Sequence, residues 1–316
     1  MVAISVLFST FNGAATLSRM LDALEALDEP AGGWKLIAVD NGSTDETAHL
    51  LRQRQTRLPL SLVSEPRRGK NFGLNTGLES IEGDLVVLTD DDVIPRKDWL
   101  VSTRRLVEEQ PDFDIFGGAI RPAWPSPPPA WILRCAPKGH FAWTEFEEGP
   151  ADPRSIWGPN MAIRRSVFAG RRFFEGIGPN GGARYATGSE VEFVVRASQA
   201  GHRCWHSEHI LVEHIIEARQ MTMRWLLQRS YNQARGERRL RALGADDAGR
   251  AWSTDGFVGR YAGALAALAR AIPTGGIDRR FVALHQLSAL HGELAERRFQ
   301  AQARRLGAKA NDAAAV

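Results

Sequence analysis

Only two cysteines, Cys135 and Cys204, occur in 316 residues. A chain of this length builds a sizeable core without covalent staples, so both read as free thiols in packing positions, and a reducing compartment is expected. Long apolar runs are missing as well, since no stretch approaches the roughly 20 residues needed to span a bilayer. The amino terminus, Met1 to Phe8, is apolar but has neither a basic flank nor a small-residue cleavage site. It therefore reads as a strand and not a signal peptide, and the expected location is cytoplasmic. Neither sign of charge dominates: 40 basic residues oppose 37 acidic ones, and a net +3 is too small to argue for nucleic acid. With 43% hydrophobic and 24% charged residues the composition is that of a globular protein, with disorder confined to ends and loops. No internal repeat is present.

What the chain does have is Leu85-Val86-Val87-Leu88-Thr89-Asp90-Asp91-Asp92. The four apolar residues read as a buried parallel strand, and three carboxylates follow at its carboxyl end. Adjacent acids repel one another and call for a cation, and in an open α/β sheet ligands bind at the carboxyl ends of strands. Mg²⁺ or Mn²⁺ is the natural candidate, because such ions take carboxylate oxygens and keep positions for phosphate. An isolated acidic run is more often a solvated loop before a helix. This one is not isolated.

Upstream, Val2 to Phe8 has strand length and ends in the turn Ser9-Thr10-Phe11-Asn12-Gly13. Leu17, Met20, Leu21, Leu24 and Leu27 give one buried face to a helix from about Ala15 to Leu27. Lys35 to Val39 is a second strand ending in Asp40, with Ser43 or Thr44 to cap the next helix. Leu60 to Val63, a helix from Asn71 to Ser80 and the strand at Leu85 to Leu88 follow, with another helix starting near Pro95. A β-α-β-α-β-α-β order with short connections argues for a mostly parallel sheet with right-handed crossovers. Thr10, Asp40 and the acid cluster should then share one sheet edge, as in a nucleotide site. Phe116 is expected to end a strand, and the proline-rich stretch Arg121 to Trp131 to be neither helix nor interior strand. Trp124, Trp131 and Trp143 there suit either stacking on sugar rings or pinning the loop to the core. Ile156 to Ile163 reads as a strand, Gly176 to Gly188 as a mobile loop, and Ser189 to Ala200 as a helix with Glu190 and Glu192 in its first turn.

Ser9-Thr10-Phe11-Asn12, Val39-Asp40-Asn41-Gly42-Ser43-Thr44-Asp45, Gly69-Lys70-Asn71-Phe72-Gly73, Thr89-Asp90-Asp91-Asp92, Gly158 to Arg165, Gly188-Ser189-Glu190 and His214, in this order, resemble family 2 glycosyltransferases of the non-processive bacterial type. The resemblance implies the GT-A, or nucleotide-diphospho-sugar transferase, fold. Residues 1–215 would form it, with a donor half to 120 and an acceptor half from 121, followed by a helical region 216–305 and a disordered tail 306–316. It implies inverting transfer of one sugar from a nucleoside diphosphate sugar, a UDP-sugar favoured, to a saccharide or lipid-linked saccharide in cell-surface polysaccharide assembly. Asp40 would accept the imino N–H of the base, and Asp90 would contact the ribose. Asp92 would bind the metal, with Asp90 and His214 as further ligands and Asp91 between the two acids. Thr10, Asn12, Lys70 and Asn71 would help hold the nucleotide, and Asn160 would lie near the donor sugar or acceptor. Glu190 would be the base that takes the acceptor proton.

Two departures stand out. The family usually has two adjacent acids where this chain has Ser189-Glu190, which leaves Glu192 as a rival base. Asn41 stands where many relatives carry a second aspartate. They motivate a rival reading, a GT-A-fold carbohydrate-binding or scaffolding protein that has lost catalysis. Arg224-Trp225 matches the end of a motif of processive synthases, but Met221 replaces their glutamine and their membrane spans are absent, so single addition is expected. The arginine-rich carboxyl-terminal helices suit docking on the anionic inner membrane, a dimer interface or packing on the sheet equally well.

Overall fold

The computed structural model describes residues 3–244, 254–274 and 276–314. The chain divides into two compact units. One comprises Met1–Pro127, Pro137–Gly181 and Ser189–Ala218, and the other Pro128–Ala136, Gly182–Gly188 and Arg219–Val316. Two short excursions inside the stretch expected to form the first domain thus belong to the second unit.

In the first unit β1 (Ile4–Thr10), β2 (Trp34–Asp40), β3 (Leu60–Ser64) and β4 (Leu85–Leu88) run parallel in the order β3-β2-β1-β4. The residues of β1, β2 and β4 are largely buried on both faces, as continuous apolar runs require, while the edge strand β3 is half-buried. The connecting helices are α1 (Ala14–Glu25), α2 (Thr47–Arg54) and α3 (Lys70–Gly77). Leu17, Met20, Leu21 and Leu24 of α1 pack one face of the sheet together with Trp99 and Leu100, while Leu74 of α3 and Phe193 pack the other. Thr10 lies beside Asp40 and Leu7 beside Leu88, so Asp91, three residues beyond Leu88, reaches the level of Thr10. The register alone assembles the site's edge.

Beyond β4 the sheet mixes directions. β5 (Val93–Pro95), α4 (Trp99–Glu109), β6 (Ile115–Ala123), β7 (Gly149–Pro150), β8 (Met161–Arg164), α6 (Ser189–Gln199) and β9 (Cys204–Ile215) extend the order to β4-β8-β6-β9-β5, with β7 on β9. Three expectations are corrected here. Phe116 begins a strand instead of ending one, and the strand continues through Pro122. Ala123 O accepts from Ile216 N at 3.1 Å, so Pro122, one residue earlier, turns its missing donor to the other side, where β8 pairing has already ended at Gly117. The strand expected from Ile156 is shorter, because Gly158–Asn160 forms a 3₁₀ turn before β8. The segment before α6 is also tied down, as described below.

The second unit is helical: α5 (Ala130–Cys135), α7 (Met223–Ala242), α8 (Thr254–Thr274) and α9 (Ile277–Ala314). α5 starts directly after Pro129, where no backbone donor is needed, so Trp131 sits in a helix and not in an irregular loop. α9 continues to Ala314, through the segment expected to be a disordered tail; the last two residues of that tail lie outside the described residues. Glu296 of α9 is fully buried and carries ion pairs to Arg235 (3.0 Å) and Arg239 (2.6 Å) of α7. Gly292 lets the two helices close, since a side chain there would meet the carbonyl of Tyr231.

Candidate active site

At the carboxyl edge of β1, β2 and β4 the acids are held by specific partners. Thr10 Oγ1 donates to Asp91, and Gly13 is needed beside them because a Cβ there would collide with both. Burial, reinforced by the neighbouring Asp92 charge, pushes Asp91 up to about 7. Lys70, at the first position of α3, ion-pairs with both Asp90 and Glu190. Burial opposes the Lys70 ammonium, but the two carboxylates override it and raise its pKa. Burial likewise opposes the Glu190 carboxylate, and Lys70 and Ser189 overcome that, so Glu190 stays below the usual carboxylate range. Asp90 has the reverse outcome, raised by burial and by the charges of Glu190 and Asp92 despite Lys70.

Glu190 meets the cluster because α6 begins at Ser189, whose hydroxyl donates to the Glu190 carboxylate. Gly158 faces it without a side chain, since a Cβ there would occupy the carboxylate's place. Glu192 is separate: Arg196 grips it one helical turn on with bonds of 2.8 and 3.0 Å, and it is buried. Of the two acids in that first turn, Glu190 is the one brought to Lys70 and Asp90.

On β9, His214 Nδ1 donates to Phe141 O at 2.9 Å, which turns Nε2 toward Asp92 Oδ2 at 3.2 Å. Burial disfavours the imidazolium, yet the Asp92 carboxylate lifts its pKa above the ordinary value. For Asp92 burial is overcome by His214 and Lys70, and its carboxyl is held low. Its other oxygen, Oδ1, is buried with no hydrogen-bond partner among the described residues. Among those residues no three His, Cys, Asp or Glu side chains form a ready-made metal cage. Mg²⁺ and Mn²⁺ sites of this kind use one or two protein ligands and complete the shell with phosphate oxygens, so an orphaned carboxylate oxygen beside an oriented imidazole fits a divalent ion.

The residues expected on the nucleotide side fall into two groups. Asp40 Oδ1 accepts from Ser43 N at 3.0 Å, leaving Oδ2 for a ligand. Asn12 adopts a left-handed backbone (φ 54°) and is exposed, and its Oδ1 accepts from Thr44 N at 2.8 Å, joining the turns after β1 and β2. Asn71 donates to Phe174 O (2.7 Å) and Ile177 O (3.2 Å), while Lys70 N donates to Pro179 O (2.9 Å). The glycine-rich segment expected to be mobile is therefore pinned to α3 as far as Pro179. Asn71 Oδ1 is buried and has no partner among the described residues.

Sequence reasoning missed the role of Asn41. Buried at the end of β2, it donates to Glu65 O (3.0 Å) and Arg67 O (2.6 Å) and accepts from Gly69 N (2.7 Å), clamping the turn that presents Lys70. Only an amide can do both, which explains why aspartate is absent. Asn41→Asp is expected to destabilise the fold by about 3 kcal/mol in chemical denaturation, since a buried carboxylate would face two carbonyls; unchanged stability would contradict the clamp. Glu65, in the same turn, is gripped by Arg67 and Thr76 and held down to about 2.

Asn160, Trp124 and Trp131, expected near sugar, have the following partners. Asn160 accepts from Trp99 Nε1 and donates to Ala119 O and Ile210 O, all at 2.9 Å, so its amide is used inside the core. Trp124 packs edge-on against Phe141. Trp131 packs on Phe281 within the helical unit.

Comparison with known proteins gives one family. The model of glycosyl transferase family 2 matches residues 5–170. Among curated proteins, the glucosyl-dolichyl phosphate glucuronosyltransferase of Haloferax volcanii is 25% identical over 183 residues, 55% of this chain and 56% of that protein. Glycosyltransferase AglE of the same organism is 25% identical over 202 residues, 63% of this chain and 62% of its own length. The chain thus spans about three fifths of these relatives. Among solved structures, the Pyrobaculum calidifontis mannosyltransferase PcManGT with GDP-Man and Mn²⁺ superposes with a TM-score of 0.62 at 20% identity, over 92% of this chain and 86% of that one. S. aureus TarS 1–349 with UDP-GlcNAc gives 0.54 at 14% identity, over 93% and 92%. These likenesses establish the GT-A fold. Among the described residues no helix is long and apolar enough to cross a membrane.

Proposed function

The chain belongs to glycosyl transferase family 2 and is a transferase, and from that premise we propose that it moves a single sugar, with inversion, from a nucleoside diphosphate donor to a hydroxyl of a saccharide or lipid-linked saccharide. The observation that carries the reading is Glu190, ionised and fixed by Lys70 and Ser189 on the edge that also bears Asp40 and Asp92. A carboxylate kept charged there can take the proton of an acceptor hydroxyl as it attacks the anomeric carbon. The free oxygen of Asp40 suits the imino N–H of uracil, which favours a UDP-sugar, and Asp90 suits the ribose. Asn12 and Thr10 shape the turn against which the base and ribose would rest. The unpartnered Oδ1 of Asn71 is an acceptor for the donor molecule. A divalent ion, Mn²⁺ or Mg²⁺, held by Asp92 and His214 and assisted by Asp90, would supply positive charge to the departing diphosphate.

The lipid-linked acceptor is supported by the Haloferax volcanii relative, whose name specifies a dolichyl phosphate substrate; cell-surface glycan assembly is the process that fits. Incubation with UDP- and GDP-sugars and saccharide acceptors in Mn²⁺, followed by NMR of the product, tests the reading. Nucleoside diphosphate release with an inverted anomeric centre is expected. Retention would overturn the base role, and metal-dependent donor binding without any release or transfer would favour a binding protein.

A further inference from the structure

The two units carry opposite charge. The helical unit holds 19 arginine and lysine residues against eight acidic ones, while the sheet unit holds 21 against 29. Within the helical unit α8 packs on α9 through Tyr261, Ala264 and Leu268. Its other side leaves Val258, Leu265 and Ile272 exposed, at 58%, 46% and 59%. Seven-residue spacing stacks these three on one stripe of a helix, Ala262 and Ala269 fall between them, and no charged residue interrupts the stripe. At its end Arg280 donates to the carbonyls of Ala271 (3.2 Å) and Ile272 (2.8 Å), which fixes a guanidinium beside the last apolar residue. Arg279 and Arg280 are exposed and make no ion pair among the described residues.

A second cationic feature lies between α7 and α9. A groove of about 850 Å³ is lined by Arg184, Arg224 and Arg298 over Met223, Leu227 and Leu294, with no acidic residue in its wall. None of the three arginines has a carboxylate partner among the described residues.

We infer that the helical unit docks on an anionic membrane surface, with the Val258-Leu265-Ile272 stripe of α8 lying in the interface and Arg279 and Arg280 at its end facing lipid phosphates. Charge decides the occupant. A second copy would bring the same cationic unit against itself, whereas an anionic bilayer attracts it, and a short apolar stripe with basic flanks is the pattern of a helix that lies in an interface and does not span it. The inference goes beyond the transfer reaction and does not depend on it.

The test is co-sedimentation of the full chain with phosphatidylcholine vesicles, with and without phosphatidylglycerol. Binding only to the anionic vesicles, weakened by salt, is expected. The double variant Leu265→Glu/Ile272→Glu should bind about tenfold more weakly or worse. Its helical circular dichroism should match wild type, because both positions are already exposed, and its transfer to a soluble acceptor should be unchanged. Undiminished binding by the variant would overturn the inference, as would failure of wild type to bind. If wild type fails to bind but light scattering shows a dimer that the variant loses, the stripe is a self-association surface instead.

Discussion

Glu190→Gln is expected to lower the transfer rate by about a thousandfold while leaving the melting temperature nearly unchanged. General base catalysis contributes on the order of 10²–10⁴, and the amide keeps the shape of the side chain but cannot take a proton. Lys70 keeps Asp90 as a partner in this variant, so no charge is stranded. Donor affinity should be retained, because the remaining nucleotide-side residues are untouched. Glu192→Gln is the informative comparison. Glu192 is gripped by Arg196 and buried, so its loss should cost stability and spare the rate. Initial rates and thermal melts of the two variants side by side distinguish the assignments. A Glu190→Gln enzyme of full activity, or an inactive but stable Glu192→Gln, would reverse them.

Lys70→Met should damage the fold and the activity together. The ammonium lies between Asp90 and Glu190, and no other lysine or arginine pairs with either acid among the described residues. Removing one member of a buried charge pair typically costs about 3–5 kcal/mol, and here two carboxylates would be left facing each other. They would respond by taking up a proton, so Glu190 would lose the ionised state that makes it a base. Both a lower denaturation midpoint and an activity loss of about a hundredfold or more are expected. Arg68→Met, two residues earlier, is the control. Arg68 is exposed and stacks over Phe11 at 4.6 Å, a contact worth about 0.5–1 kcal/mol. Equal effects from the two variants would mean that general positive charge, and not the Lys70 bridge, supports the site.

The parallel half of the sheet was legible in the sequence because each of its strands is a short apolar run ending in polar residues. Parallel register then forces Thr10, Asp40 and Asp91 to one level without any further information. Glu190 was legible as an acid at a helix start and was favoured over Glu192, but its pairing with Lys70 was not legible. That depends on Lys70 reaching across from another helix and on Gly158 leaving room, neither of which has a local signal. Asn41 looked like a departure from the family and proves to be a clamp on the Lys70 turn. The hint was an amide next to a glycine turn, ambiguous until Glu65, Arg67 and Gly69 are seen around it. Asn160 went the other way, since a polar residue near a site looks alike in sequence whether it faces ligand or core. Proline misled at β6, where the outcome turns on which side of the strand is paired. The helical extension was visible in its periodicity, although the assignment of 128–136 and 182–188 to that unit was not.

The most direct measurement is the melting temperature of wild type and Asp92→Ala across a set of UDP- and GDP-sugars, each with and without Mn²⁺. A ligand at a hundred times its dissociation constant adds about 2.7 kcal/mol, enough for a clear upward shift. With wild type, a shift that appears with one donor and requires the metal is expected, and Asp92→Ala should lose it. No shift with any donor, or one indifferent to both Mn²⁺ and Asp92, would contradict a metal-assisted nucleotide-sugar site at this edge.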